Sequence, residues 1–194
     1  MKFIKKILIT CLILASTTAP AQTLGVKSNL LMDALLNINL GVEIPLSQQW
    51  TVDVTGEYNG WILSHQRRWK HGYLQPEVRY WFCNRWTGSF LGVHLFGGQY
   101  NLGALKNSIK FLGTDYSNLS DTRFQGWMVG AGIAYGYSWV LNRHWNLEAE
   151  IGLGYAYSRY DRFRCSGCNK KVESDKSHHY VGPTKAAINL VYLF

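Results

Sequence analysis

Proline accounts for only 4 of the 194 residues and charged side chains for 16%, against 47% hydrophobic residues. So little charge beside so much apolar surface excludes an intrinsically disordered chain. Long apolar runs are missing as well. After the N-terminus no stretch approaches the roughly 18 uninterrupted apolar residues that a transmembrane helix requires, so a helical membrane protein is excluded. Glycine is plentiful at 19, as are aromatics, with 8 Trp, 12 Tyr and 8 Phe. That mixture favours strands and turns over helices, and the length fits one domain with its own core.

Acidic residues are also in the minority, 12 against 20 Lys plus Arg, for a formal charge of +8. Part of this belongs to an address. Lys2, Lys5 and Lys6 precede an apolar run over residues 7–15, and small residues follow up to Ala19-Pro20-Ala21. This three-part layout predicts a secretory signal over residues 1–21, cleaved after Ala21, with residues 22–194 as one domain. Cys11 lies inside the apolar run, too far upstream to carry a lipid, so a lipoprotein is not expected. Losing the three leader lysines lowers the charge from +8 to +5. Export makes nucleic acid a poor partner and anionic lipid headgroups a better one.

Strand periodicity is clearest over residues 145–158. Trp145, Leu147, Ala149, Ile151, Leu153, Tyr155 and Tyr157 fall on one face, with Glu148, Glu150, Gly152 and Gly154 on the other. A helix would mix them. Residues 124–140 alternate in the same way, with four glycines on one face that suit a strongly curved, crowded wall. Residues 50–58 and 74–82 follow, the latter with Trp81 as an exception and with Pro76 predicted to mark a bulge or a strand end. Residues 24–31, 38–46, 89–101 and 183–194 complete eight predicted strands. Connections are short at 47–49, 83–85 and 141–144 and long at 59–72, 102–123 and 159–182, the one at 32–37 being brief. Short turns at one rim and long loops at the other predict an all-β, eight-stranded antiparallel up-and-down transmembrane β-barrel in the outer membrane, with both termini on the periplasmic side.

Which face points outward is decided by volume and charge. Eight strands enclose a narrow interior that the bulky face would overfill, so the small and charged face is predicted to point inward. That places Lys27, Asn29, Asn39, Glu43, Asp53, Glu57, Gln75, Glu77, Arg79, His94, Glu148, Glu150, Lys185 and Asn189 in the lumen. Lys27, Arg79 and Lys185 are expected to bridge Glu43, Asp53, Glu57, Glu77, Glu148 and Glu150, because an isolated buried charge costs several kcal/mol. Six acids outnumber three bases, so trapped water or a protonated carboxyl is expected too. Trp50, Tyr58, Trp81, Trp86, Trp127, Trp139, Trp145, Tyr157 and Tyr192 lie near strand ends, where aromatic girdles meet lipid headgroups. A soluble, secreted eight-stranded barrel is the competing reading of the same pattern.

The final Ile188-Asn189-Leu190-Val191-Tyr192-Leu193-Phe194 resembles the C-terminal strand by which outer-membrane proteins are recognised for barrel assembly. Taken with Lys27-Ser28-Asn29-Leu30-Leu31-Met32-Asp33, Asn39-Leu40-Gly41-Val42-Glu43, Gln75-Pro76-Glu77-Val78-Arg79-Tyr80-Trp81-Phe82 and Gly182-Pro183-Thr184-Lys185-Ala186, it resembles a family of small outer-membrane barrels, like those of OmpX and OmpA, catalogued as a domain of unknown function. The resemblance covers the whole mature chain and implies fold and location, with some members encoded near fimbrial genes. It supplies no catalytic residues. Some relatives continue into a peptidoglycan-binding domain of the OmpA kind. This chain ends at Phe194, so anchoring by that route is not expected.

Chemistry-bearing groups are few. Cys165 and Cys168 sit in the last long loop, shortly before His178 and His179. Zinc is a poor fit, because adjacent histidines do not readily reach one ion and neighbouring Lys and Arg oppose it, so a local disulfide or free thiols is expected and no metal. Cys83 is expected to stay unpaired. His65, Arg67, Arg68, Trp69, Lys70 and His71 give one loop a basic, aromatic character suited to lipopolysaccharide phosphates, though a solvated loop rim has the same composition. His94 faces inward without a serine beside it, so no catalytic residue and no cofactor are expected. The expected protein is a monomeric, non-conducting barrel with a structural or cell-surface interaction role through its loops. Its expected partners are outer-membrane lipid and lipopolysaccharide, the barrel-assembly machinery, and a surface or fimbrial protein. An accessory or anchoring role for a fimbria-like appendage and a lipid-modifying barrel enzyme are the alternatives.

Overall fold

The structure, a computed structural model, describes residues 24–63, 67–103, 110–111, 114–115, 122–164 and 171–194. The predicted signal, Cys165 and Cys168 lie outside them, as do the side chains at 62–69. Eight antiparallel strands form the barrel: β1 (Gly25–Asn29), β2 (Ile38–Pro45), β3 (Trp50–Asn59), β4 (Arg67–Trp81), β5 (Gly88–Gly103), β6 (Thr122–Val140), β7 (Trp145–Arg164) and β8 (Lys171–Leu193). Each pairs with its sequence neighbours, and β1 pairs with β8, so the ring closes. Two-residue pairings at Ile62–Leu63 and between Lys110–Phe111 and Thr114–Asp115 decorate the loop end.

The registers fix how the ring closes. From Lys27, pairing runs through Val191 and Asn146 to Val140 in one direction. In the other it runs through Gly41 and Thr55 to Gln75, whose place in the unchanged β4–β5 register is opposite Phe96, and from Phe96 to Gly130, ten residues away on the same strand. For eight strands such a stagger tilts the strands by about 40° and leaves an interior that side chains fill. Tight packing on the curved inner face explains the glycines of β6. A Cβ on Gly136 would sit 2.3 Å from the Phe90 ring, and one on Gly132 would sit 2.7 Å from His94.

Several expectations are corrected. The strand predicted over 24–31 stops at Asn29, whose side chain accepts a hydrogen bond from Leu31 N–H at 3.1 Å and caps a five-residue helix, α1 (Leu30–Ala34). Two of the three predicted long loops, 59–72 and 159–182, are in large part wall: β4 begins at Arg67, β7 runs to Arg164 and β8 starts at Lys171. Pro76 is neither bulge nor strand end. It pairs with Val54 in an unshifted β3–β4 register, while toward β5 the ladder skips Gln75 and Pro76 and resumes in the same register. A missing N–H costs one side of the ladder only. Register shifts lie instead in the β7–β8 pair, between Gly152 and Leu153 opposite Pro183 and on either side of Arg162.

Trp81 and Trp86 do not join a girdle. Both are buried and pack with Phe90, Val191 and Leu193 into an apolar plug at the short-turn end of the lumen. Trp81 therefore obeys the alternation of β4, following Gln75, Glu77 and Arg79 inward. Its indole is satisfied there by the Thr51 hydroxyl at 2.9 Å.

Candidate functional site

The lumen above the plug is polar, and Arg79 organises it. The stagger of β2, β3, β4 and β7 brings five inward-facing carboxylates around one guanidinium. Nε donates to Glu77 at 2.6 Å, Nη1 to Glu43 at 2.9 Å and Glu148 at 3.1 Å, and Nη2 to Glu150 at 2.8 Å, with Asp53 at 3.6 Å. The planar fork suits this role, since it offers five donors in fixed directions. Its underside lies 4.5 Å from the Phe90 ring centroid, joining the charge layer to the plug.

Two lysines flank it. Lys27 on β1 contacts Glu43, with Asp53 at 3.2 Å and Glu148 at 3.5 Å. Lys185 on β8 contacts Glu77, with Glu150 at 3.0 Å. Eight of the nine residues expected in the charge network thus meet. Glu57 does not. It lies nearer the loop end, where it accepts from Asn37 at 2.7 Å and pairs with His71 at 2.9 Å. Five carboxylates facing three cations leave the cluster short of positive charge. One oxygen of Glu148 has no partner among the described residues. Of the other residues expected inward, Asn39, Gln75, His94 and Asn189 are buried and Asn29 is half-buried.

Thr184 was not legible as a partner of His94 because the two lie on non-adjacent strands and meet only inside the lumen. Its hydroxyl lies 3.0 Å from His94 Nε2, and His94 Nδ1 lies 3.9 Å from Glu77. The row is ordered like a proton relay, but 3.9 Å is too long for a hydrogen bond, and both Glu77 oxygens are held by Arg79 and Lys185. It ties the β8 bulge to the far wall.

At the loop end the lumen opens into a cleft of about 1000 Å³, lined among others by Lys70, His71, Gln99, Asn101, Arg159 and Asp161. Beyond the wall's aromatic ring Arg159 pairs with Asp175. Cys83 is an exposed free thiol in a short turn, and no group of three or more His, Cys, Asp or Glu among the described residues could hold a metal ion.

The outer surface is the converse of the lumen. Leu40, Val54, Leu91, Val93, Ile133, Ile151 and Leu153 are exposed, Ile133 by 66%. Below them Trp50 packs on Tyr80, Tyr137 on Trp139, and Trp145 on Tyr192. Above them Trp127 meets Tyr157 edge-on. Trp139 and Trp127 are twelve residues apart on β6, about 30 Å along the axis at ~3.3 Å per residue and the tilt given above.

A closed eight-stranded barrel with an ion-paired, plugged lumen is the class of molecule that these features define. The chain belongs to the family described as protein of unknown function DUF3575, whose model matches residues 7–194. No curated protein and no solved structure matches it.

Proposed function

We propose that the protein is a small, non-conducting outer-membrane barrel with a structural or cell-surface interaction role exercised from its loop end. The observation that carries this reading is the inversion of polarity across the wall. Every long strand turns aliphatic side chains outward between two aromatic rings, whereas Arg79 and its carboxylates are fully buried. In water that arrangement would leave a wide apolar band exposed, far beyond the few hundred Å² usual for a soluble monomer. In a bilayer it matches an apolar band of about 25 Å flanked by aromatic girdles.

Ring closure supports the same reading, because a spanning sheet must satisfy its backbone internally. The filled lumen supports a role without transport, and the polar cleft at the loop end is the surface available to a partner. Spin labels at Ile151 and Glu150 of the barrel reconstituted in lipid test the orientation. Ile151 should be accessible to oxygen dissolved among acyl chains and Glu150 shielded. The opposite pattern, or a protein that stays in solution without detergent, overturns the proposal.

A further inference from the structure

The cleft at the loop end, about 1000 Å³ in volume, is bordered by a continuous stretch of paired strands. Tyr58 on β3 pairs with Gly72, Gly72 with Gln99, Gln99 with Trp127 and Trp127 with Arg159, so one row of residues crosses five strands. Two residues nearer the loops a second row runs through Lys70, Asn101, Gln125 and Asp161. Side chains alternate across a strand, so both rows share the face that bears Trp127. The rows lie about 7 Å apart, and the four strands of the second span about 14 Å.

The chemistry of this face is selective. Its charges cancel: Lys70 and Arg159 stand against Asp161 and Asp175, Arg159 is paired with Asp175, and Asp161 accepts from the Asp175 N–H at 3.0 Å. No excess of one sign draws a phosphate or a carboxylate. Nor is there an aliphatic patch for an acyl chain, since the apolar surface is that of two rings, Tyr58 exposed by 61% and Trp127 by 40%. β5 and β6 are hydrogen-bonded on both sides here, which leaves no edge for a partner strand. Between the rings stand three side-chain amides. Asn101 lies opposite Gln125, and Gln99 is two residues from Asn101 on the same face. Among the described residues none of the three makes a side-chain hydrogen bond. A Cβ at Gly72 would meet only Tyr58, at 3.9 Å, so the place between Tyr58 and Gln99 is open.

We propose that this cleft binds the pyranose rings of an oligosaccharide. The C–H faces of the sugar lie on Trp127 and Tyr58, and its neighbouring hydroxyls bond to Gln99, Asn101 and Gln125. A hydroxyl both donates and accepts, and so does an amide, whereas a phosphate only accepts and leaves the amide carbonyls unmet. Lys70 and Asp161, at the two ends of the amide row, extend the same donor and acceptor pattern. The proposal rests on the reading above of the loop end as the surface open to a partner, and it names the chemical class of that partner. The sugar can belong to a glycolipid of the surrounding membrane or to a glycan from outside, because the recognising chemistry is the same.

The test is isothermal titration of the full chain, held in a detergent without a sugar headgroup. The probes are maltohexaose and the core oligosaccharide of lipopolysaccharide freed of its lipid. At least one should bind saturably with a Kd of ~1 mM or tighter, and sodium phosphate should not displace it. The double variant Asn101→Ala with Gln125→Ala should weaken binding about tenfold, while Gln48→Ala with Gln49→Ala, at the opposite rim, should leave it unchanged. Titration in bilayers with and without lipopolysaccharide then identifies the source. Binding lost in its presence assigns the cleft to the membrane's own sugar, and binding kept assigns it to a foreign glycan. Heat-dependent gel mobility checks that each variant is folded. Should the amide variant fail to fold, hydroxyl-radical footprinting of the wild type decides instead: the bound probe should protect Trp127 and Tyr58 but not Trp50 and Trp139. No saturation by either probe up to about 10 mM, displacement by phosphate, an amide variant that binds like the wild type, or unprotected Trp127 would overturn the site. Those outcomes leave the membrane reading standing, whereas a barrel that stays in solution without detergent removes that reading whatever the cleft binds.

Discussion

Replacing Arg79 by Met tests the lumen most directly. The guanidinium is fully buried and touches four carboxylates at 2.6–3.1 Å. Methionine fills much of its volume but none of its charge, so five buried carboxylates would face two ammoniums. Removing one partner from a buried ionic cluster costs about 3–5 kcal/mol, because the charges left behind have already lost their water. Against a total stability of about 5–15 kcal/mol for an ordinary domain, that is a large fraction. Urea titration of the barrel in detergent micelles, followed by tryptophan fluorescence and linear extrapolation, measures it, and Trp81, packed 4.6 Å from Phe90, reports from beside the site. Adding Glu43→Gln and Glu148→Gln to the same chain should recover a substantial part, since three carboxylates then face two lysines. A single variant within about 1 kcal/mol of wild type, or a triple variant no better than the single, would refute the reasoning.

Gly136→Ala should destabilise the barrel by about 1–3 kcal/mol by driving a methyl into the Phe90 ring, and Phe90→Leu in the same chain should relieve part of the loss, both read by urea titration. Asn29→Ala should cost about 1 kcal/mol by uncapping α1, seen as a lower midpoint in thermal unfolding. Reconstituted in a planar lipid bilayer, the wild-type barrel should give no discrete conductance steps; regular steps would show that the plug of Trp81, Trp86 and Phe90 does not close the bore.

The lower half of the barrel was legible because each strand there has one face in a crowded interior and the other on an apolar surface. Residues 145–158 separate completely for that reason. The upper halves of β7 and β8 were not, since beyond Tyr157 both faces are polar and the alternation fades. Lys171–Leu193 therefore reads as a strand only from Pro183 onward. Trp81 and Trp86 were misplaced because a large aromatic suits both a girdle and a plug; only the parity of Gln75, Glu77 and Arg79 separates the two. The composition of the charge network could be read from the inward face. Its membership could not, because Glu57 leaves the cluster through the ten-residue stagger, which depends on long-range register. A five-residue helix such as α1 is too short to produce a periodic signal, although Asn29 before Leu30 is an ordinary helix cap.

The Leu24 carbonyl takes the Phe194 amide at 2.9 Å, so the earliest and the latest parts of the domain zip together. Neighbouring hairpins can pair one after another, but the cylinder itself must wait until β8 reaches β1. Until then the polypeptide is a curled ribbon with two raw margins and its acids still wet, vulnerable to proteases and to stray strands. The final seam supplies Val191 and Leu193 to the stopper at the same moment as it closes the circle, so sealing and completion are one event.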